Sequence, residues 1–134
     1  MYLSQLDLKK KELFLDLSIH GAMSNNNFAQ EQKSIVDAYC NEMGLPKSNY
    51  STKRDLDSVL IEIKDICSPR EKNIVLIELM ALILGDGIYD TMEKEFVKKI
   101  QNIFQVSDEK IEEVILSINN LMDTYKALDD IIEN

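Results

Sequence analysis

Two prolines and four glycines in 134 residues are too few for the many tight turns of an all-β sandwich. Two cysteines, Cys40 and Cys67, lie far apart and form no C-x-x-C or Cys/His array. That argues against a zinc site or a disulfide framework and for buried, reduced thiols. His20 is the only histidine. Asp16, one helical turn before it, could orient the ring, but no nucleophile stands at a useful spacing, so acid–base catalysis is the weakest reading. No Gly-rich phosphate loop, serine elbow or haem or flavin motif occurs, and the chain reads as non-enzymatic. The longest apolar stretch, Ile74 to Leu84, is interrupted by Glu78 and falls short of the roughly 20 residues a bilayer span needs. MYLSQLDLKKKELFLD places its charges wrongly for a secretory signal, so a cytoplasmic protein is expected.

Acid is abundant and unevenly spread. The net charge is −9, which disfavours nucleic acid as a partner. Between Val106 and Asn134, eight acids face only Lys110 and Lys126, so this stretch carries −6 of the total. Hydrophobic residues make up 45% of the chain, enough for one compact core.

Their spacing is helical throughout. Leu13, Phe14, Leu17 and Ile19 form a stripe ending near Gly21. Asn27 and Gln30 suggest an N-cap for a second helix, which Gly44 and Pro46 stop. Ser51 or Thr52 is expected to open a third. Ser68-Pro69-Arg70-Glu71 is the clearest start, a capping box with proline at the first helical position. The helix it opens is apolar on nearly every face and should lie at the centre. Asp90-x-x-Glu93 starts a fifth helix and Ser107 a sixth. Beyond Ser107, residues 111, 114, 118, 121, 125, 128 and 132 form a heptad seam. A single helix from Ser107 to Ile132 would be about 39 Å long, so a break or kink is expected. A second copy meeting this seam would make a homodimer.

The halves correspond. Asp16 aligns with Glu78, Leu17 with Leu79, Ser24 with Asp86 and Glu31 with Glu93; Val36 aligns with Val97 and Met43 with Phe104. The predicted architecture is an all-α, single-domain bundle of about six or seven helices. It is built from two pseudo-repeated three-helix halves, residues 11–66 and 71–122, with an acidic C-terminal helix to 134.

The stretch M80-A-L-I-L-G-D-G-I-Y-D-T-M-E93, followed by F96-VKKIQNIFQVSDEKI111, resembles the TerB-like family, named for tellurite-resistance protein B. The likeness lies in the apolar helix, the Asp-Gly turn, the Glu seven residues after that Asp and the Ser-opened helix. The pattern repeats more weakly over residues 13–45. The resemblance implies a helical bundle of two related halves, acidic residues that hold divalent cations, and a stress-associated role without established catalysis. It also implies a protein partner, membrane-associated in some relatives.

The residues themselves admit two readings of the turn. Asp86, Asp90 and Glu93, with Ile88 and Glu78 as further donors, could hold Ca²⁺ or Mg²⁺, which prefer oxygen ligands. In the first half Ser24, Asn25 and Glu31 would form a degenerate half-site with less charge. Equally, Asp90 and Glu93 make an N-cap and capping box, and Asp86-Gly87 a turn, with no ion required. Glu78 fits an exposed strip or a lysine pair, or else faces the acidic cluster. The functional expectation is cation binding coupled to a protein partner. The alternative is a metal-independent interaction module that presents an acidic surface.

Overall fold

A computed structural model describes residues 1–24 and 30–134, with Asp86 described by its backbone alone. The described residues form six α-helices and no strand, an all-α bundle as the periodicity predicts. The helices are α1 (Leu8–Ala22), α2 (Gln30–Met43), α3 (Leu56–Ile66), α4 (Pro69–Ile83), α5 (Thr91–Phe104) and α6 (Asp108–Glu133). Short 3-10 turns cover Leu3–Gln5 and Leu84–Asp86. The expected Asn27 cap of α2 lies outside the described residues.

Local chemistry sets most of the boundaries. Asp7, Asp55, Ser68, Asp90 and Ser107 each accept a first-turn amide of the helix that follows. Ser68 with Glu71, and Asp90 with Glu93, complete reciprocal capping boxes. Gly44, at φ 70°, ends α2 in the left-handed region, and the Leu45 amide returns to the Cys40 carbonyl at 2.9 Å.

α1 and α4 lie against each other at the centre. α1 also meets α2 and α3, and α4 packs on α2 and α6. Leu13, Phe14, Leu17, Leu79, Leu82 and Ile83 are completely buried between them. Each such side chain contributes about 1.5–3 kcal/mol through removal from water. Phe14 meets Tyr39 of α2 edge to face, with centroids 5.4 Å apart. The N-terminal segment joins this core through Leu3 and Leu6, both buried.

Two boundaries differ from expectation. α3 starts at Leu56, with Asp55 as its cap, not at Ser51 or Thr52. The physical reason is Asp16 of α1: its carboxylate accepts the Lys53 amide at 2.7 Å and the Arg54 amide at 3.0 Å, holding those residues out of the helix. The expected break in α6 is absent. No proline or glycine interrupts residues 108–133, and the Asn119–Asp123 stretch can remain helical. A helix longer than the bundle is wide is accommodated by leaving its end in solvent. Ile111 and Ile118 are buried, Val114, Ile115, Leu121 and Met122 are half-buried, and every residue from Asp123 onward is exposed.

Candidate functional site

The acidic turn follows directly from the end of α4. After the Leu84–Asp86 turn, Gly87 adopts φ 78° and its amide donates to the Leu84 carbonyl at 3.1 Å. A side chain at that φ would be strained, which accounts for glycine here. Gly85 is needed for a different reason. A Cβ there would lie 2.5 Å from Cδ1 of Ile35, so the turn approaches α2 closely.

Asp90 and Glu93 are brought together as their spacing predicts, and one oxygen of each serves the start of α5. Asp90 Oδ1 accepts the Glu93 amide at 2.8 Å, and Glu93 Oε1 accepts the Asp90 amide at 3.1 Å. Glu93 is completely buried. Burial, with the charge of Glu93 beside it, raises the Tyr89 phenol above its ordinary pKa, and the Lys94 ammonium lies 5.5 Å from the Tyr89 ring centroid.

Of the further donors proposed, Glu78 is engaged by the N-terminal segment, and the Ile88 side chain is 61% exposed. The Asp86 side chain lies outside the described residues. In the first half, the Ser24 hydroxyl donates to the Gly21 carbonyl at 2.8 Å, Glu31 is exposed, and Asn25 lies outside the described residues. Among the described residues, no three His, Cys, Asp or Glu side chains group so as to hold a metal ion. The described oxygens of Asp90 and Glu93 form a capping box, and a Ca²⁺ or Mg²⁺ ion would need about six or more oxygens.

Glu78 departs from the exposed strip or lysine pair. It is buried, and Oε1 accepts the Tyr2 amide and meets the Met1 ammonium, both at 2.8 Å. Glu42 of α2 accepts the same ammonium and the Leu3 amide, again at 2.8 Å. Burial would raise the Glu42 pKa, but these donors outweigh it and hold the carboxyl below its ordinary range. Sequence reasoning missed Glu42 and the inward-folded N-terminal segment. The three-residue spacing of Leu3 and Leu6 was the available signal.

Asp16 and Glu78, aligned between the halves, are both buried carboxylates that accept backbone amides from a non-helical segment. Asp16 does not reach His20 as an orienting partner. His20 Nε2 instead lies 2.8 Å from the Arg54 carbonyl, so both side chains hold the same link. Cys40 and Cys67 are free and buried, and burial raises both thiols above their ordinary pKa.

The last helix offers the other candidate surface. Lys110 of α6 donates to the Asn73 side chain of α4 at 2.6 Å. Nearby, Leu76 and Ile77 of α4 face Val114, Ile118 and Leu121 of α6 across a groove of about 420 Å³. Beyond it stand Tyr125, Leu128, Ile131 and Ile132, exposed by 60%, 49%, 71% and 77%. Asp123, Asp129, Asp130 and Glu133 accompany them against Lys126 alone, a net charge of −3. Among the described residues, no helix is long and apolar enough to cross a membrane. Compared with known protein families, characterised proteins and solved structures, the chain matches none.

Proposed function

We propose that this protein is a non-enzymatic interaction module that receives a basic amphipathic helix of a partner protein along α6. The observation that carries this reading is the run of large apolar side chains on the exposed end of α6, Tyr125, Leu128, Ile131 and Ile132. Scattered apolar residues on a surface are ordinary, but a contiguous run beyond the bundle edge implies a cover. A helix laid into an apolar groove is a common form of such cover. Charge selects the occupant. A second copy would set acids against acids along the helix, whereas lysines and arginines beside the partner's apolar face would meet Asp129, Asp130 and Glu133. A stress-associated role enters this reading through the TerB-like sequence resemblance, and a cytoplasmic location through the N-terminal charge pattern.

A designed helix of leucine and lysine, compared with a leucine and glutamate counterpart, tests the proposal by fluorescence anisotropy. The basic peptide should bind, and raising salt from 50 to 500 mM should weaken it at least tenfold. Leu128→Ser with Ile132→Ser should weaken it similarly and leave the melting temperature unchanged. Equal binding of the acidic peptide, or a homodimer at micromolar concentration that covers the seam, would refute the proposal.

A second reading, Ca²⁺ or Mg²⁺ bound through Asp86, Asp90 and Glu93 and coupled to that partner, draws on the adjacency of Asp90 and Glu93 beside the Gly87 turn. Metal-stripped protein should then gain several degrees of thermal stability with either ion at 100 times its dissociation constant. Asp86→Asn should abolish that gain. Unchanged melting with both ions removes this reading and leaves the first intact.

A further inference from the structure

The link between α2 and α3, residues 44–55, is a long connection without regular structure, yet it is bolted in place. Asp16 holds the amides of Lys53 and Arg54, and His20 meets the Arg54 carbonyl. The Asn49 side-chain carbonyl accepts both the amide and the hydroxyl of Ser51, at 3.1 and 2.6 Å. Tyr50 is held in the left-handed region at φ 61°, while its hydroxyl donates to Asp37 at 2.7 Å. Connections of this length inside compact domains are commonly functional.

Between this link and α1 lies a cavity of about 520 Å³, within the size range of small-molecule sites. Leu15, Ile19 and Leu45 supply apolar wall, while Lys47, Lys53 and Arg54 line the mouth. Glu12 and Asp16 also line it, so the charged lining sums to +1, and both Asp16 oxygens already accept amides. Arg54 reaches Glu62 at 3.5 Å. No ion pair within 4.0 Å is formed by Lys47 or Lys53 among the described residues. The Lys47 and Lys53 ammonium groups, which line one cavity on a protein of net charge −9, have no evident role in holding the fold together.

We propose that this cavity binds a small organic anion, a single carboxylate or phosphate carried on a compact apolar body. The anion would sit at the mouth by Lys47 and Lys53, with its apolar part against Leu15, Ile19 and Leu45. Long, mobile ammonium groups suit a singly attached anion of either geometry. The site is separate from α6, so its test does not depend on the interaction reading.

The test is an NMR titration of the ¹⁵N-labelled full chain with octanoate and with phenyl phosphate. Inorganic phosphate and octylammonium serve as controls. At least one organic anion should shift the amides of Leu45 and residues 47–54 saturably, with a sub-millimolar dissociation constant; the responding anion identifies the headgroup. Inorganic phosphate should bind at least tenfold more weakly than that anion, and octylammonium should leave these amides unmoved. Lys47→Glu with Lys53→Glu should weaken the anion at least tenfold without lowering the melting temperature. Should that variant prove unstable, Lys47→Gln alone must still weaken binding. The proposal is overturned if neither anion gives saturable shifts there, if the cation binds equally, or if inorganic phosphate matches the organic anion. Unchanged affinity in the charge variants overturns it as well.

Discussion

Removing the Asp16 carboxylate should unlock the α2–α3 link without dismantling the bundle. Asp16 is only 5% exposed and accepts two backbone amides, at 2.7 and 3.0 Å. Hydrogen bonds to a charged group contribute about 1.5–3 kcal/mol each, so the pair would reach about 3–6 kcal/mol if both amides stayed dry after its loss. Lys53 and Arg54 are exposed, however, so water can reach the freed amides, and the lower end applies. We therefore expect Asp16→Ala to destabilise the protein by about 3 kcal/mol, lowering Tm by about 10 °C for a domain of this size. Asp16→Asn keeps one acceptor oxygen but turns an NH₂ group toward the other amide, for an expected loss of about 2 kcal/mol. Denaturant unfolding monitored by circular dichroism supplies the magnitudes. Hydrogen exchange supplies the location, because the Lys53 and Arg54 amides should lose protection before the α1 and α4 core does. If Asp16→Ala stays within about 0.5 kcal/mol of wild type, or if those two amides exchange unchanged, the anchoring role is wrong.

At the acidic turn, Asp90→Ala should lose about 1 kcal/mol of stability while Asp90→Asn, which still caps, loses little; equal losses would point to a role for the charge itself. Gly85→Ala places a methyl against Cδ1 of Ile35, for an expected loss of about 1 kcal/mol. Ile35→Val removes that atom and should restore part of the loss in the double variant, which chemical denaturation can check. The third concerns acid stability. The Glu71 carboxyl is held below its ordinary value of 4.5 by the Ser68 amide and then by Lys10. A folded-state pKa lowered in this way contributes stability above the unfolded value, lost as pH falls through the folded one. Urea midpoints measured from pH 7 down to pH 3 should therefore fall less steeply for Glu71→Gln than for wild type, and parallel curves would exclude the contribution. On α6, Leu128→Ser should change stability by less than about 0.5 kcal/mol, because its side chain is half exposed on the projecting end. A larger loss would mean that this end packs against the bundle.

Much of the fold was legible because its signals are local. Ser68-Pro69-Arg70-Glu71 and Asp90-x-x-Glu93 place helix starts through bonds spanning three residues, and both capping boxes form as read. The apolar character of α4 on nearly every side announced a central helix, since no exposed face was available to it. The acidic turn was legible as a turn and as a cap, but its use of oxygens was not. Whether a carboxylate serves an amide or an ion depends on which other oxygens the fold brings near.

By itself, the sequence determined the helical class, the starts of α4, α5 and α6, the central position of α4 and the acidic end of the chain. These follow from periodicity, capping and charge, which act within a few residues of their cause. Tertiary structure alone decided that Glu78 and Glu42 receive the N-terminal segment and that Asp16 draws Lys53 and Arg54 out of α3. It also decided that α6 runs unbroken into solvent. The Glu78, Glu42 and Asp16 contacts join residues 37 to 76 positions apart. A heptad seam in turn specifies that a face is apolar without specifying what covers it. The bundle covers the first half of that seam, and the second half is exposed to solvent.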